Sequence, residues 1–227
     1  VANVSHELRT PLTSIQGFTE TLLTNDVDEV QQKSFLKIIQ DQSARLSTVL
    51  EDLLSLSKLE KDSEGVETTP QKIGPVVQTA IQVCEPKAKK LHVDFEFEGD
   101  DQIIVNINSL LFEQALVNLI DNAIKYGRPQ DGKNKGSVKV KIDQDDQSVR
   151  VSVIDQGKGI DNEHLSRLFE RFYRVDKARS RNIGGTGLGL SIVKHIALAH
   201  KGSVKVESQL GQGSKFSIIL PKNHELT

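Results

Sequence analysis

Apolar residues recur at helical spacing from the first residue: Val1, Val4, Leu8, Leu12, Ile15, Phe18 and Leu22. Thr24-Asn25-Asp26 breaks this helix. A second helix follows with two interleaved heptad series, Ile39-Leu46-Leu53 and Gln42-Val49-Leu56, flanked by Phe35 and Leu50. Such a seam requires a partner helix. A lone hairpin of two long helices cannot cover its apolar faces, so the pattern predicts a homodimer through a four-helix bundle.

The stretch Lys58 to Thr69 is charged and loses the period. Beyond Pro70 the pattern predicts a helix from Gly74 to Leu91, strands at Val93–Glu98 and Ile103–Ile107, and a strong helix from Leu110 to Tyr126. Ser137–Asp143 and Ser148–Asp155 alternate apolar and polar residues around Gln144-Asp145-Asp146-Gln147, which reads as a hairpin. A Gly-rich, charged stretch runs to Gly187, followed by a helix through Ala199. A last hairpin, Gly202–Glu207 and Lys215–Leu220, turns through Gly211-Gln212-Gly213. The expected architecture is an all-α antiparallel helical hairpin over residues 1–62 and a linker over 63–69, followed by an α+β sandwich over 70–224 with a mixed sheet and helices on one face.

Composition narrows the function. The 29 basic and 31 acidic residues leave a formal net charge of −2, which argues against a binder that holds nucleic acid by charge density. Aromatics make up 4% and Trp is absent, so broad base-stacking surfaces are not expected. The single cysteine, Cys84, excludes an internal disulfide framework. No apolar run reaches the length needed to cross a bilayer. Methionine is absent, so there is no initiator and the chain reads as a fragment.

Four constellations carry candidate chemistry. In Val4-Ser5-His6-Glu7-Leu8-Arg9-Thr10-Pro11-Leu12, His6 falls off the apolar seam and should face solvent, with Thr10 one turn later on the same face. Pro11 frees the carbonyl of Glu7 and should bend the helix nearby. For a lone exposed histidine, a solvated helix face with a tolerated proline is usually the better explanation, and the rest of the chain decides. On the helix ending at Tyr126, Asn118, Asn122 and Lys125 form a polar stripe that also carries Asp121, opposite Leu116, Leu119, Ile120, Ala123 and Ile124. Asparagine is a mediocre helix former, so two of them stacked beside a lysine suggest ligand chemistry.

Asp155-Gln156-Gly157-Lys158-Gly159-Ile160 follows a strand directly. Asp155 can accept from an exocyclic amine, and the two glycines would let backbone approach a flat ligand. A dinucleotide fold is disfavoured, because the acidic residue precedes the glycines. Finally, Gly184-Gly185-Thr186-Gly187-Leu188-Gly189-Leu190 opens a helix, where backbone N–H groups make a phosphate site. Upstream, the aromatics of Phe169-Glu170-Arg171-Phe172-Tyr173-Arg174 could pin a loop and its arginines could meet phosphate oxygens. Val175 to Ile183 is polar and aperiodic, as a flexible lid would be.

Taken in this order, the blocks resemble the H, N, G1, F and G2 boxes of two-component sensor histidine kinases, over essentially the whole chain. Ser14–Leu23 and Asp176–His195 look most like phosphate-responsive sensor kinases of Gram-positive bacteria, with cell-wall-responsive relatives similar. The resemblance implies a Bergerat ATP-binding sandwich, as in gyrase, heat-shock-90 and MutL ATPases. It implies His6 as phosphoacceptor, with Glu7 as orienter or base and Thr10 positioning water for a phosphatase reaction. It implies ATP and Mg²⁺, the metal held by Asn118. Asn122, Lys125 and Arg174 would meet phosphates and Tyr126 would line the site. Asp155 would read the adenine amine beside Gly157, Gly159 and Ile160. Phe172, Gly185, Thr186, Gly187, Leu188 and Gly189 would shape the lid and phosphate end. The implied partners are a response-regulator receiver domain and a second copy of the chain, with no nucleic acid. The membrane would be reached only through a missing upstream segment, making this the cytoplasmic portion of a membrane sensor.

Two other functions fit parts of the pattern. A Bergerat ATPase without phosphohistidine needs a general-base carboxylate just ahead of Asn118, where Val117 stands and Glu113 is more than a turn away. A degenerate kinase scaffold would have eroded nucleotide boxes, and these are intact. The loop from Arg128 to Gly136 departs from the family pattern and is expected to be exposed. Because His6 and the nucleotide boxes fall in different domains, the Lys58–Thr69 stretch is the expected hinge.

Overall fold

The computed structural model describes residues 2–61, 66–127, 135–176 and 185–222, with side chains from residue 4 onward. Helices α1 (Ala2–Thr24) and α2 (Glu29–Lys61) pack as a hairpin. Pro11 is buried and α1 continues through it. Asp28 caps α2, its carboxylate accepting from the Gln31 N–H at 2.8 Å. Near the hairpin's turn the Phe18 and Phe35 rings meet at 5.1 Å between centroids.

Strand β1 (Thr69–Lys72) leads into α3 (Ile73–Lys90) and pairs antiparallel with β3 (Ile104–Ile107). Strand β1 is absent from the hydrophobic pattern: its four residues are all exposed and carry no apolar alternation. The remaining strands are β2 (Val93–Glu98), β4 (Gly136–Gln144), β5 (Ser148–Asp155), β6 (Ser203–Gln209) and β7 (Gly213–Pro221). They form a mixed five-stranded sheet in the order β2-β4-β5-β7-β6, with β2 and β4 parallel and the other pairs antiparallel. The β4–β5 turn is fixed by Asp145, whose carboxylate accepts from the N–H groups of Gln147 and Ser148.

Helices α3, α4 (Ser109–Tyr126) and α6 (Gly189–Ala199) cover one face of the sheet, and the short α5 (Asn162–Leu165) lies beside β6. The alternation of β4 sets that face: Val138, Val140 and Ile142 are buried. Lys139 and Lys141 point the other way and pair with Glu96 and Glu98. The expected α+β sandwich with a mixed sheet and one helical layer is the observed fold.

The two halves share one apolar core. Val49, Leu56 and Leu59 of α2 belong to the same buried cluster as Phe112, Leu116, Ile192 and Ile196 of the sandwich, and α2 packs against α6. Leu56 is 1% exposed and Leu59 4%. Burying such a side chain contributes roughly 1.5–3 kcal/mol. The sequence predicts a hairpin and a sandwich joined by a hinge at Lys58–Thr69. Here part of the apolar stripe assigned to a bundle seam is covered by the chain's own sandwich. Of the 58–69 stretch, residues 62–65 lie outside the described residues, as do 128–134 of the expected exposed loop and 177–183 of the expected lid. Among the described residues no helix is long and apolar enough to cross a membrane.

Candidate active site

Helix α4 supplies one wall of a cavity of about 260 Å³. Its start is fixed twice: the Asn108 side chain accepts from the Leu111 N–H, and the Asn108 N–H donates to His200 Nε2 at 2.9 Å. With Leu116, Leu119, Ile120, Ala123 and Ile124 buried beneath, the opposite stripe of Asn118, Asp121, Asn122 and Lys125 faces the cavity, and Tyr126 lines its end.

The orientation of Asn118 is set by its amide nitrogen, which donates to the Gln114 carbonyl at 3.1 Å. Its carbonyl oxygen therefore points toward the start of α6, where a Cβ on Gly189 would come within 2.9 Å of it. Asp121 stands between two ammonium groups. Lys125 approaches one carboxylate oxygen at 2.6 Å and Lys87 of α3 pairs with the other. Burial would raise the Asp121 pKa, but the two lysines outweigh it and hold it below its ordinary value.

Asp155 ends β5 at the cavity floor, 7% exposed. Burial pushes its carboxyl up to about 6, against the pull of hydrogen bonds from the Gly157 and Ser214 N–H groups. The glycines beside it are also required by the chain's own backbone. A Cβ on Gly157 would sit 2.3 Å from the Tyr126 carbonyl oxygen, and one on Gly159 (φ +69°) would sit 1.9 Å from that of Gln209. Their missing side chains make room for the protein's own backbone, at the end of α4 and at the β6–β7 turn. Gly159 and Ile160 still line the cavity, whereas Gly157 lies behind it.

The opposite wall comes from the glycine-rich segment and the aromatic one before it. The Phe172 N–H donates to the Gly187 carbonyl at 2.8 Å, and both residues have positive φ, 62° and 76°. Phe172 thus anchors the glycine segment from outside the cavity, while Tyr173, Arg174, Gly185, Thr186, Gly187 and Gly189 line it. Leu188 is buried at the head of α6, which has no side-chain cap. Its first N–H groups, with the helix dipole behind them, suit an anion. Gly184 lies outside the described residues.

Arg174 joins this wall to α1. One guanidinium nitrogen donates to the Thr186 carbonyl at 2.8 Å and to the Glu7 carboxylate at 2.9 Å. Its Nε is buried with no hydrogen-bond partner among the described residues. Glu7 also meets Arg45 of α2 at 3.5 Å. His6 and Thr10 are exposed on α1, and the Thr10 hydroxyl donates to the His6 carbonyl at 3.1 Å. Further contacts join the hairpin to the sandwich. Thr186 donates to Asp52 at 2.8 Å, Gln114 donates to Ser55 at 3.2 Å, and Arg171 and His195 pair with Glu60.

Thr48 and Asp52 of α2 line the cavity and were not anticipated. They lie one turn apart on polar positions, a pattern that a solvated face would also produce. Asp121 was visible in the stripe, but its two lysine partners were not. Tyr173, Leu168, Leu190 and Phe216 complete the apolar lining.

This donor set fits a nucleotide with its metal. A carboxylate at the floor, a lysine and an arginine at the other end, and an open helix start suit a base and a polyphosphate. Among the described residues no group of three His, Cys, Asp or Glu side chains could hold a metal. The Asn118 carbonyl, turned toward the start of α6, is the donor that would hold Mg²⁺ beside a bound polyphosphate.

Comparison with known proteins identifies the family. Residues 107–224 match the family described as histidine kinase-, DNA gyrase B- and HSP90-like ATPase, and residues 1–62 match the His Kinase A (phospho-acceptor) domain. Sensor protein SrrB of Staphylococcus aureus is 36% identical over 98% of this chain, which spans 37% of SrrB's length. The histidine kinase ThkA, solved in complex with response regulator protein TrrA, superimposes with a TM-score of 0.76 at 27% identity, covering 100% of this chain and 62% of that one. Full-length ShkA in complex with AMPPNP gives a TM-score of 0.70 at 26% identity, covering 97% of this chain and 45% of that one. The chain belongs to the sensor histidine kinases of two-component systems, pairing a His Kinase A phospho-acceptor domain with the ATPase module of the histidine kinase, gyrase B and HSP90 family.

Proposed function

We propose that this chain moves the γ-phosphoryl group of ATP to His6 and passes it on to an aspartate of a response-regulator receiver domain. The observation that supports this reading is the Arg174–Glu7 hydrogen bond, which ties the cavity wall to the residue beside the exposed histidine. ShkA with AMPPNP and ThkA with TrrA support the nucleotide and the partner.

In the proposed reaction a ring nitrogen of His6 uses its lone pair to form a bond to the γ-phosphorus. The bond from that phosphorus to the bridging oxygen breaks, and ADP leaves with the electron pair. Glu7 orients the ring and receives the proton from the other ring nitrogen. Lys125 and Arg174 stabilise the charge spread over the transferring group. Asn118 would hold Mg²⁺, which would supply charge neutralisation at the phosphates. Asp155 accepts from the adenine amine, while Asn122 and the start of α6 hold phosphate oxygens. The N–P bond is labile, which suits onward transfer. The exposed Thr10 hydroxyl, one turn from His6, would orient water against the receiver's phosphoaspartate, giving a phosphatase activity that releases phosphate and opposes the kinase.

Residues 1–62 act as the dimerisation and phosphotransfer domain, and 70–224 as the catalytic domain. Leu12, Leu50 and Leu54 remain exposed on the hairpin, which supports pairing with a second copy into a four-helix bundle. The relatives named as sensor proteins support a sensing role for the whole protein, of which this chain would be the cytoplasmic portion if an upstream segment attaches it to a membrane.

Incubation with γ-labelled ATP and Mg²⁺ tests the reading. Acid-labile, alkali-stable label on the protein, absent from His6→Gln, is the expected result. Free phosphate without labelled protein would instead make the chain an ATPase.

A further inference from the structure

Lys125 lines the cavity, as Lys158 does, yet it is paired with Asp121 at 2.6 Å. An isolated pair of this kind would be electrically neutral and would attract a polyphosphate weakly. The pair is not isolated. The other oxygen of Asp121 is taken by Lys87, which projects from the last turn of α3 and does not line the cavity. Lys125 is 15% exposed, Asp121 27% and Lys87 40%, so the outermost member is the one facing water.

We infer that Lys87 is a positioning residue for nucleotide phosphate: by neutralising Asp121 from behind, it lets that carboxylate aim Lys125 without cancelling its charge. The inference rests on the nucleotide reading of the cavity. Three groups with a net single positive charge stand where two alone would sum to zero. The Asp121 carboxylate has an oxygen for each ammonium, so neither lysine displaces the other. An ammonium has three donors, and one spent on Asp121 leaves two on Lys125 for phosphate oxygens. Asp121 lies four residues before Lys125 on α4, so it restrains a long side chain that would otherwise sample many rotamers.

Calorimetric binding of AMPPNP and of adenosine to the full chain tests this. Lys87→Gln is expected to weaken AMPPNP roughly three- to five-fold at low ionic strength, with the loss shrinking as salt is raised. Adenosine affinity, which involves no phosphate, is expected to stay unchanged, and Lys87→Arg to restore AMPPNP binding. In the labelling reaction the same variant is expected to raise KM for ATP while leaving kcat near its original value. Equal losses for AMPPNP and adenosine would mean that Lys87 only supports α3, and undiminished AMPPNP binding would mean that it does nothing for the site; either overturns the inference. If the unsubstituted chain binds neither probe, the nucleotide reading itself falls, and this inference with it.

Discussion

Arg174 and Glu7 meet at 2.9 Å although 167 positions separate them in sequence, and the same guanidinium nitrogen also holds the Thr186 carbonyl. The arginine side chain is only 5% exposed, so these charge-assisted bonds are shielded from water. Arg174→Ala removes both contacts and a cation from the cavity wall. Hydrogen bonds to charged groups contribute about 1.5–3 kcal/mol, so autophosphorylation should fall about 10- to 100-fold. A time course of His6 labelling checks this, and a rate within two-fold of the original would refute it.

Asp155 gives nucleotide binding a pH dependence. Its carboxyl titrates at about 6, against 3.8 for a free aspartate, because burial disfavours the charge. Between those values the folded chain holds a proton that the unfolded chain has lost, so ionisation costs stability, fully above pH 6. Adenosine affinity should decline as pH falls from 7.5 to 5.5 and the carboxylate is protonated. Asp155→Asn should melt higher than the original at pH 7.5 and show no such step, as paired calorimetric titrations and melting curves would reveal.

Thr10 separates two activities. Its hydroxyl proton is directed at the His6 carbonyl, which leaves the oxygen lone pairs facing solvent. Thr10→Ala should keep autophosphorylation within about two-fold and slow dephosphorylation of the phosphorylated regulator at least ten-fold. Full-rate dephosphorylation by the variant would remove the hydroxyl from the reaction.

His200 couples the fold to acid. Its Nε2 accepts from the Asn108 N–H and its Nδ1–H donates to the Ile196 carbonyl at 2.7 Å, so the buried ring must be neutral. Burial holds its pKa below the ordinary 6.5. The stability this contributes is complete above pH 6.5 and is lost as pH falls toward the folded value. His200→Phe strands the Asn108 N–H and should cost about 1–3 kcal/mol at pH 7.5, with a smaller penalty at pH 5.5. Denaturant melts at the two pH values measure the difference.

What could be read from the chain followed from local periodicity. The alternation of Val93–Glu98 and Ser148–Asp155 gave β2 and β5 at their observed limits. The polar stripe on α4 placed Asn118, Asn122 and Lys125 on one wall. Strand β1 escaped because Thr69–Lys72 owes its shape to pairing with β3, with no buried face to leave a period. Gly157 and Gly159 were visible as glycines, but the carbonyls that require them, those of Tyr126 and Gln209, come from distant or already folded segments. Asp52 and Thr48 looked like a solvated helix face, since nothing local announces that Thr186 will dock there. Long-range docking leaves little trace in a single sequence.

Strand β1 also sets the length of a leash. Pairing Thr69–Lys72 with β3 fastens these residues to the sandwich, so only residues 62–68 remain between the end of α2 and the first fixed strand. Seven residues span roughly 25 Å at full extension. If Leu56 and Leu59 left the shared core, the start of β1 could separate from the end of α2 by no more than that length. A sandwich that parts from α2 therefore stays tethered to the end of that helix instead of drifting free of the hairpin that carries His6.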